Sequence, residues 1–375
     1  AASVQSFQAD LFTGRAHTQV PIFVPPGRRN LHPRLNLKYS SANKNDWLGM
    51  GWELDLGFIY RDTKKGVPKY DDADTFIYSF QGTKMELIEI DTVNKEYRAV
   101  NESRFLKFKR FDSGGNDHWI MTDKSGTQHT FGTTCTGCRE TNSNGTYKWL
   151  VSKVKDMSGN YMTVSYTLDA GQAYLSSVEY NGNEAQSFAH THKVEFTLED
   201  RDDDSFSYRT GSKVEVKKRL KEIQAKVKDS QGTYQPARKY LLGYQCSPST
   251  KRSLLVSVTE CGKDGTTCYP PTAFSYQVKP FEFEDIEGFA SVPTPPNFTH
   301  WNISGQQERD IIDLNGDGLA DYVIASYGNT NWDVRYHIPG QGFDNSQSFG
   351  PIYLRNGDTT GYYLRSDVSN FDRRN

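Results

Sequence analysis

The residues with the most distinctive chemistry form a short acidic loop near the end of the chain, in the sequence RDIIDLNGDGLADYVI. Asp313, Asn315, Asp317 and Asp321 occupy positions 1, 3, 5 and 9 of this loop, and Leu319 offers its backbone carbonyl at position 7. Ca²⁺ prefers about six to eight oxygen ligands, and side-chain and backbone oxygens that alternate at this spacing can surround one ion. The sequence therefore predicts a calcium site at this loop.

The flanking sequences DII and YVI are strand-like, which argues against an EF-hand with its helices. An EF-hand also carries a glutamate at position 12, whereas position 12 of this loop is Ile324. The alternative is a turn in which the same carboxylates accept hydrogen bonds from backbone amides and hold no metal ion.

The chain has five cysteines, and their spacing allows more than one chemistry. Cys135 and Cys138 form a C-x-x-C pair, which occurs in redox dithiols, zinc sites and tight disulfides. The pair is not at the start of a helix, so a thioredoxin-type redox role is disfavoured. A zinc site would need Cys261 and Cys268 as its second pair, but their separation is wide for a zinc knuckle. We therefore favour two local disulfides, one within each pair, with Cys246 buried or free; such bridges are typical of an oxidising compartment.

Two other acidic clusters could bind a cation or act as paired carboxylates on a glycosidic bond. They comprise Asp71, Asp72 and Asp74 and, further along, Asp202, Asp203 and Asp204. Runs of this kind are more often solvated turns, and the sequence contains no G-x-S-x-G motif, phosphate-binding loop or H-x-x-x-H pair. We therefore expect no catalytic residues and no enzymatic activity, and a carbohydrate-active enzyme is the least favoured alternative.

The composition is that of a folded, β-rich protein. The 375 residues include 6 Trp, 22 Tyr and 21 Phe, but only 35% of the chain is hydrophobic and the mean hydropathy is −0.72. Aromatic enrichment with 31 Gly and 15 Pro favours sheet over helix. A sheet with one wet face also needs fewer apolar residues than a helical bundle.

The charge balance excludes several partners. With 44 basic and 46 acidic residues, the chain has no global field that would attract nucleic acid or an anionic membrane. The densest basic stretch, KVEVKKRLKEIQAKVK from Lys213, has apolar residues at alternate positions near its end and is interpreted as a solvated strand face. The sequence has no run of about 18 apolar residues, so no transmembrane helix is expected.

Short strand-like runs recur from Phe76 to Tyr276 with little helical periodicity. Aspartate and glycine recur between them as turn residues, since Asp accepts backbone hydrogen bonds and Gly adopts positive φ. Turns of this kind are predicted at Asp123, Asp156, Asp229 and Asp264, and tight hairpins at Asn144-Gly145 and Asn181-Gly182. The pattern predicts an all-β fold built as an extended antiparallel hairpin and meander sheet, although spacing alone does not exclude a sandwich or barrel.

Composition divides the chain into two domains. The proline-rich stretch SVPTPPNF predicts a stiff linker at 293–299, so that residues 1–292 form one all-β domain and residues 300–375 a second, Gly-, Asn- and Asp-rich segment. The chain begins AASVQ without a signal peptide and ends within what reads as a repeated unit. We therefore expect a fragment of a longer protein.

The N-terminal sequence carries a family resemblance. FTGRAHTQVPIFVPPGRRNLHPRLNLKYSS, followed by WLGMGWELDLGFIYR, resembles the N-terminal domain of SpvB/TcdB-type toxin proteins. These are B components of bacterial insecticidal toxin complexes and are related to Rhs/YD-repeat proteins. KYDDADTFIYSFQG and LLVSVTECGKDGTTCYPPTAFSYQ extend the resemblance over about residues 10 to 280. FG-GAP/VCBS repeats follow in such proteins, and RDIIDLNGDGLADYVI looks like the first of them.

The resemblance implies a role in assembly. In such complexes the B component and its Rhs-repeat partner form a hollow β-sheet shell around a toxic C-terminal domain, and the FG-GAP region contributes to a β-propeller that docks on the channel-forming A component. By this resemblance, residues 1–292 are a curved, shell-like domain and residues 300–375 a truncated part of a propeller. The family's name-giving member has an ADP-ribosyltransferase further downstream, and nothing in this sequence matches it.

We therefore expect a non-enzymatic structural module of a secreted toxin-complex B component or Rhs-type protein, located outside the cell. Its expected partners are the downstream Rhs-repeat shell, the toxin domain and the A component. The alternative is a Ca²⁺-dependent extracellular adhesion or ligand-binding module, because FG-GAP repeats also occur in receptors and lectin-like proteins.

The calcium site can be tested with Asp317→Ala. If the loop binds Ca²⁺, wild-type protein gains about 2.7 kcal/mol of stability at a free Ca²⁺ concentration about 100-fold above Kd, and the variant gains none. The measurement is the melting temperature with CaCl₂ and with EDTA, and Asp264→Ala, in a different turn, is the control. A wild-type melting temperature that is the same with CaCl₂ and with EDTA would contradict the calcium site.

Overall fold

The computed structural model describes residues 8–102, 104–112, 115–133, 135–277, 307–312, 321–326, 332–338, 342–344 and 347–349. The chain divides into two compact units, residues 1–280 and 281–375. The linker predicted at 293–299 lies outside the described residues. The described residues form strands throughout, apart from loops and one short 3-10 turn at Arg28–Asn30, which confirms the predicted all-β class.

The N-terminal strands form a small antiparallel sheet in the order β1-β2-β3-β6, beside a separate two-stranded pair, β4 with β5. Their bounds are β1 Gln8–Ala9, β2 Ala16–Ile22, β3 Leu35–Ser40, β4 Asn45–Asp46, β5 Gly49–Met50 and β6 Trp52–Glu53.

The next strands close into an eight-stranded barrel. Their bounds are β7 Phe58–Arg61, β8 Phe76–Phe80, β9 Thr83–Asp91, β10 Glu96–Ala99, β11 Lys107–Phe111, β12 His118–Thr122, β13 Gln128–Phe131, β14 Arg139–Asn142 and β15 Gly145–Lys155. Each strand from β7 to β13 pairs with the next. The long strand β15 then closes the ring, because it pairs with both β13 and β7. Strand β14 pairs with the first half of β15 and lies outside the ring.

The barrel interior is aromatic. Along β7, β10, β11 and β12, buried and half-buried residues alternate strictly, as expected when successive side chains point to opposite faces of a sheet. Opposed pairs of buried residues include Phe76 with Leu87, Trp119 with Phe131, and Trp149 with Ile59.

A seven-stranded meander continues from β15. Its strands are β16 Asn160–Asp169, β17 Gln172–Asn183, β18 His192–Ser207, β19 Val214–Lys228, β20 Tyr234–Cys246, β21 Ser253–Cys261 and β22 Thr272–Ala273. All neighbours are antiparallel. The barrel and the meander therefore form one continuous 16-stranded sheet, which confirms the predicted hairpin and meander.

The predicted Asp-Gly turns are confirmed, but one of the two hairpin predictions at Asn-Gly pairs is wrong. Asp156 accepts backbone hydrogen bonds from Ser158 and Asn160, and Gly159 has φ 80. Asn181-Gly182, in contrast, lies inside β17. There the positive φ of Asn181, 68, accompanies a register shift against β16 rather than a chain reversal.

The N-terminal sheet packs on one face of the meander, and tyrosine hydroxyls tie the two together. Val20 and Leu37 are fully buried in the same core as Val194 and Ile223. The side-chain nitrogen of Trp52 donates to the hydroxyl of Tyr276 at 2.8 Å. The basic stretch from Lys213 is strand β19, with Ile223 and Ala225 buried as its alternation predicted.

The second unit contains an antiparallel four-stranded sheet in the order β23-β24-β25-β28 and a two-stranded pair, β26 with β27. Their bounds are β23 Gln307–Ile312, β24 Asp321–Ser326, β25 Trp332–Arg335, β26 His337–Ile338, β27 Gly342–Phe343 and β28 Gln347–Phe349. Strands thus flank the predicted calcium loop on both sides. Its membership of a β-propeller stays a prediction.

Barrel packing can be tested with two glycines of the same backbone conformation. Gly132 and Gly232 both have φ 82, but a Cβ at Gly132 would lie 2.5 Å from buried Trp149, whereas a Cβ at Gly232 would meet nothing within 4 Å. Gly232→Ala should lower the free energy of unfolding by about 1–2 kcal/mol from left-handed strain alone. Gly132→Ala should lose about 1–3 kcal/mol more from overpacking. Urea denaturation measures both losses. Equal losses would contradict the prediction, because they would mean that Trp149 shifts to accommodate the added methyl group without cost.

Candidate functional site

Two arginines lie inside the barrel, where the alternation of β7 and β11 would otherwise place apolar side chains. Arg61 and Arg110 have side chains only 5% and 8% exposed. Arg61 donates to Asp74 Oδ2 at 2.7 Å and to the carbonyl of Thr146 at 2.9 Å. Arg110 donates to both carboxylate oxygens of Asp117, at 3.1 and 3.3 Å. Both buried charges are therefore paired and hydrogen-bonded, as burial requires.

The same two guanidinium groups lie over a shared aromatic cluster. The guanidinium carbons of Arg61 and Arg110 are 5.4 and 5.1 Å from the ring centre of Phe76, and 5.7 and 5.4 Å from that of Trp149. Trp119 completes the cluster, with its ring centre 4.9 Å from that of Phe76. Cation–π attraction strengthens as water is removed, so these contacts stabilise the packing of the barrel interior. The arrangement supports a structural role, because the charged groups are satisfied by one another.

The first acidic cluster is divided among separate structural tasks. Asp74 pairs with Arg61 and also accepts the backbone N–H groups of Lys69 and Tyr70. Asp71 accepts the backbone N–H of Ala73, and Asp72 is exposed with Lys95 at 3.4 Å. Each carboxylate thus holds a different part of the loop between β7 and β8.

In the second acidic cluster, Asp203 joins three distant segments. The fully buried side chain of Arg201 donates to both carboxylate oxygens of Asp203, at 2.9 and 2.6 Å. Asp203 also accepts from Asn45 at 3.0 Å, and from the backbone and hydroxyl of Ser253, each at 2.6 Å. Arg201 in turn donates to the carbonyl of Asp46 at 2.7 Å. This cluster locks β4 to β18 and to the start of β21.

The electrostatics of Asp203 follow from these contacts. Burial acts to raise the pKa of its carboxyl, but the hydrogen bonds from Arg201, Ser253 and Asn45 outweigh burial and hold the pKa well below its usual value. Its neighbours Asp202 and Asp204 are exposed. The cluster therefore presents one structural carboxylate and two solvated ones.

A cavity of about 160 Å³ lies between β6, the barrel and β17, and its lining includes Glu53, Asp55, Lys84 and Lys148. Burial raises the pKa of Asp55, whose carboxylate accepts the backbone N–H of Gly57 at 3.1 Å and of Gln81 at 2.8 Å. Burial, together with the charge of Asp55, also raises the pKa of Glu53. Asp55 fastens the β8–β9 turn to the chain segment that enters the barrel.

The cysteines are paired as the sequence favoured. Cys135 is bonded to Cys138, Cys261 is bonded to Cys268, and Cys246 is free and exposed. The second bridge links the end of β21 to the loop before β22.

Most of the predicted calcium ligands lie outside the described residues, namely Asp313, Asn315, Asp317 and Leu319. Asp321 is described: it begins β24, is fully buried, and accepts the backbone N–H of His337 at 2.9 Å. Within the described ranges no group of three or more His, Cys, Asp or Glu side chains could hold a metal ion. Calcium at this loop stays a prediction.

Sequence analysis missed three arginines that are buried in the described part of the chain. Arg61, Arg110 and Arg201 occupy strand positions like those of any solvated arginine, and only the register of the sheet shows that they point inward. The one available signal is their position in the alternation, because Arg61 follows Ile59 at a spacing of two and so faces the same side.

Comparison with known proteins connects this architecture to a family. A family model described as SpvB, Salmonella virulence plasmid 65kDa B protein, matches residues 11–199, half of the chain. Relatives from Salmonella choleraesuis (strain SC-B67) and Salmonella typhimurium, both described as Mono(ADP-ribosyl)transferase SpvB, are 28% identical over 196 residues. The matched region covers 46% of this chain and 32% of each relative. The chain therefore spans about a third of the length of these relatives.

Solved structures share the fold. The N-terminal domain of effector protein SpvB from Salmonella typhimurium strain LT2 matches with a TM-score of 0.57 and 19% identity, over 65% of this chain and 98% of that one. TcdB2-TccC3 matches with a TM-score of 0.64 and 17% identity, over 92% of this chain and 20% of that one. The Photorhabdus luminescens Tc holotoxin pore matches with a TM-score of 0.59 and 18% identity, over 92% of this chain and 19% of that one.

The Asp203 cluster can be tested with Asp203→Asn. Removing the charge leaves the buried Arg201 unpaired, so the free energy of unfolding should fall by about 3–5 kcal/mol. Because the pKa of Asp203 is lower in the folded protein than in the unfolded chain, where it is about 3.9, its stabilisation is present above about pH 4 and is lost as pH falls further. Guanidinium denaturation at pH 7 and in the acid range measures both effects.

The matched control is Asp200→Asn. Asp200 lies on the same strand as Asp203, β18, and is an exposed ion-pair partner of Lys218. Exposed ion pairs contribute little, so this variant should unfold like the wild type at both pH values. Equal losses in the two variants would contradict the structural role of Asp203.

Proposed function

We propose, because the chain belongs to the SpvB family, that it is a non-enzymatic structural module of a bacterial toxin complex and forms part of a β-sheet shell around a toxic domain. The observation that carries this proposal is the fold likeness to TcdB2-TccC3 over 92% of the chain. The likeness extends across both the barrel and the meander, which together make up one sheet.

The transferase activity named for the curated relatives is not carried over to this chain. The match reaches only 32% of those relatives, and the solved SpvB structure with this fold is described as an N-terminal domain, of which 98% is covered. In addition, Asp74 and Asp203, the two least exposed members of the acidic clusters, are each paired with a buried arginine. We therefore propose that this chain has a structural role in the shell and no catalytic role.

The two faces of the meander suit a shell wall. Val194 is fully buried beneath the N-terminal sheet, whereas its neighbours Lys193 and Glu195 point to the other face and form an ion pair at 3.0 Å. Lys193 also approaches Glu179 at 3.6 Å, and Lys226 pairs with Glu195. A face of alternating, mutually paired charges remains soluble and offers little unpaired charge or apolar surface to an enclosed chain.

The expected partners follow from the same family. They are a downstream Rhs-repeat shell, the toxin domain inside it, and a channel-forming A component that contacts the second unit. Two local disulfides fit a secreted, extracellular protein. No helix in the part of the chain that the structure describes is long and apolar enough to cross a membrane. A calcium ion at the Asp313–Asp321 loop would stabilise the second unit.

The shell function can be tested by protection of a cargo. The full gene product that contains this chain is coexpressed with a Rhs-repeat protein carrying a reporter domain at its C-terminus. If the module is part of an enclosing wall, the reporter should resist trypsin, and Asp203→Asn should expose it by loosening the junction of β4, β18 and β21. Gel electrophoresis over a digestion time course measures the intact reporter.

Asp200→Asn is again the control, and it should protect the reporter as the wild type does. Equal protection after deletion of residues 8–277 would contradict the proposal, because the wall would then close without this module. Digestion of the reporter at the same rate with and without the wild-type protein would also contradict it.

A further inference from the structure

A basic turn between β2 and β3 has an unusual backbone that the fold holds in place. Arg29 and Asn30 both adopt left-handed conformations, with φ 48 and 61. At Gly27, an added Cβ would lie 2.1 Å from the carbonyl oxygen of Leu31, so only glycine fits there. Left-handed residues other than glycine are strained and persist where the surrounding structure fixes them.

Three hydrogen bonds clamp this turn and the segment before it to the meander. Asn181 accepts the backbone N–H of Arg28 at 3.0 Å. The hydroxyl of Tyr180 donates to the carbonyl of Pro25 at 2.7 Å, and the hydroxyl of Tyr240 accepts the N–H of Phe23 at 3.0 Å. The strained turn is therefore presented rigidly on the surface of the sheet.

The arginines of this turn lack acidic partners. Arg28, Arg29 and Arg34 are exposed, and among the described residues none has a carboxylate within ion-pair distance, whereas most cations of the meander do, such as Lys226 with Glu195. The first 50 residues contain six basic and two acidic residues, a net charge of +4, although the whole chain carries −2. Positive charge is thus concentrated where it is not neutralised.

An aromatic ring accompanies these charges. The guanidinium carbon of Arg28 lies 4.8 Å from the ring centre of Phe188, which is 51% exposed. The side chain of Arg29 donates to the hydroxyl of Ser158. These contacts orient both guanidinium groups without neutralising them, which leaves N–H donors available to an incoming anion.

We propose that this basic turn, Arg28 and Arg29 with Phe188, is a docking site for an acidic segment of a partner protein. Guanidinium groups bind carboxylates through two parallel hydrogen bonds, and arginine and aromatic residues dominate the energetics of protein interfaces. The exposed ring of Phe188 favours a peptide over a small phosphate ligand, because a peptide can place an apolar side chain against it. A rigid turn also loses little conformational entropy on binding.

The test uses the complete chain and two fluorescent peptides, one in which Glu and Phe alternate with Gly spacers and a matched one with Gln in place of Glu. The Glu peptide should bind the wild type, more weakly as salt rises, and the Gln peptide should not. Arg28→Gln/Arg29→Gln should weaken binding by about tenfold or more. Arg104→Gln/Arg252→Gln removes the same charge from exposed positions elsewhere and should leave the affinity unchanged. Fluorescence anisotropy gives the affinities, and melting temperatures show that both variants fold.

A third variant separates rigid presentation from charge. Asn181→Ala keeps both arginines but removes the acceptor that holds Arg28, so it should weaken binding less than the double arginine variant. Failure of the Glu peptide to bind the wild type, or equal weakening in the two double variants, would overturn the proposal. Binding of tripolyphosphate that depends on Arg28 and Arg29, without binding of the peptide, would overturn the protein partner and assign a phosphate-bearing ligand instead.

Discussion

The pairing of β15 on both of its edges is the constraint on which the rest of the first unit depends. Its first half lies between β14 and β7 and its second half between β13 and β16. Buried backbone groups must be hydrogen-bonded, and an 11-residue strand is long enough to satisfy two neighbours on each edge. One strand thus closes the barrel and starts the meander, so the two parts belong to one continuous sheet.

Paired charges act together with the buried core to fix the geometry of the first unit. Arg61 and Arg110 are neutralised by Asp74 and Asp117 and stacked on a common set of rings, while Arg201 and Asp203 join segments far apart in the chain. Such clusters add specificity because their partners must be in place before the charges can be buried. They help a chain with modest hydrophobicity and many aromatic residues to maintain one arrangement.

Asn181 has the backbone conformation that its sequence predicts, but it lies within a strand and not in a hairpin turn. Asn-Gly is a strong hairpin signal, and the positive φ it provides is present, yet the chain continues as β17 because β16 and β18 pair with it on both sides. The side chain of Asn181 then fastens the arginine-bearing turn between β2 and β3. The local conformation was predictable, but its consequence was not, since the partner lies 153 positions away in sequence.

The sequence by itself determined the all-β class, the Asp-Gly turns, the cysteine pairing and the family, because each depends on neighbouring residues or on a contiguous pattern. The calcium ligands, the Pro-rich linker and the propeller remain predictions of the sequence. Only the tertiary structure decided that the barrel closes, that Arg61, Arg110 and Arg201 are buried, and that Asp203 is a structural lock. These features depend on strand register and on partners far apart in the chain. A sequence that alternates with period two shows which residues share a face of the sheet, but it does not show which face is buried.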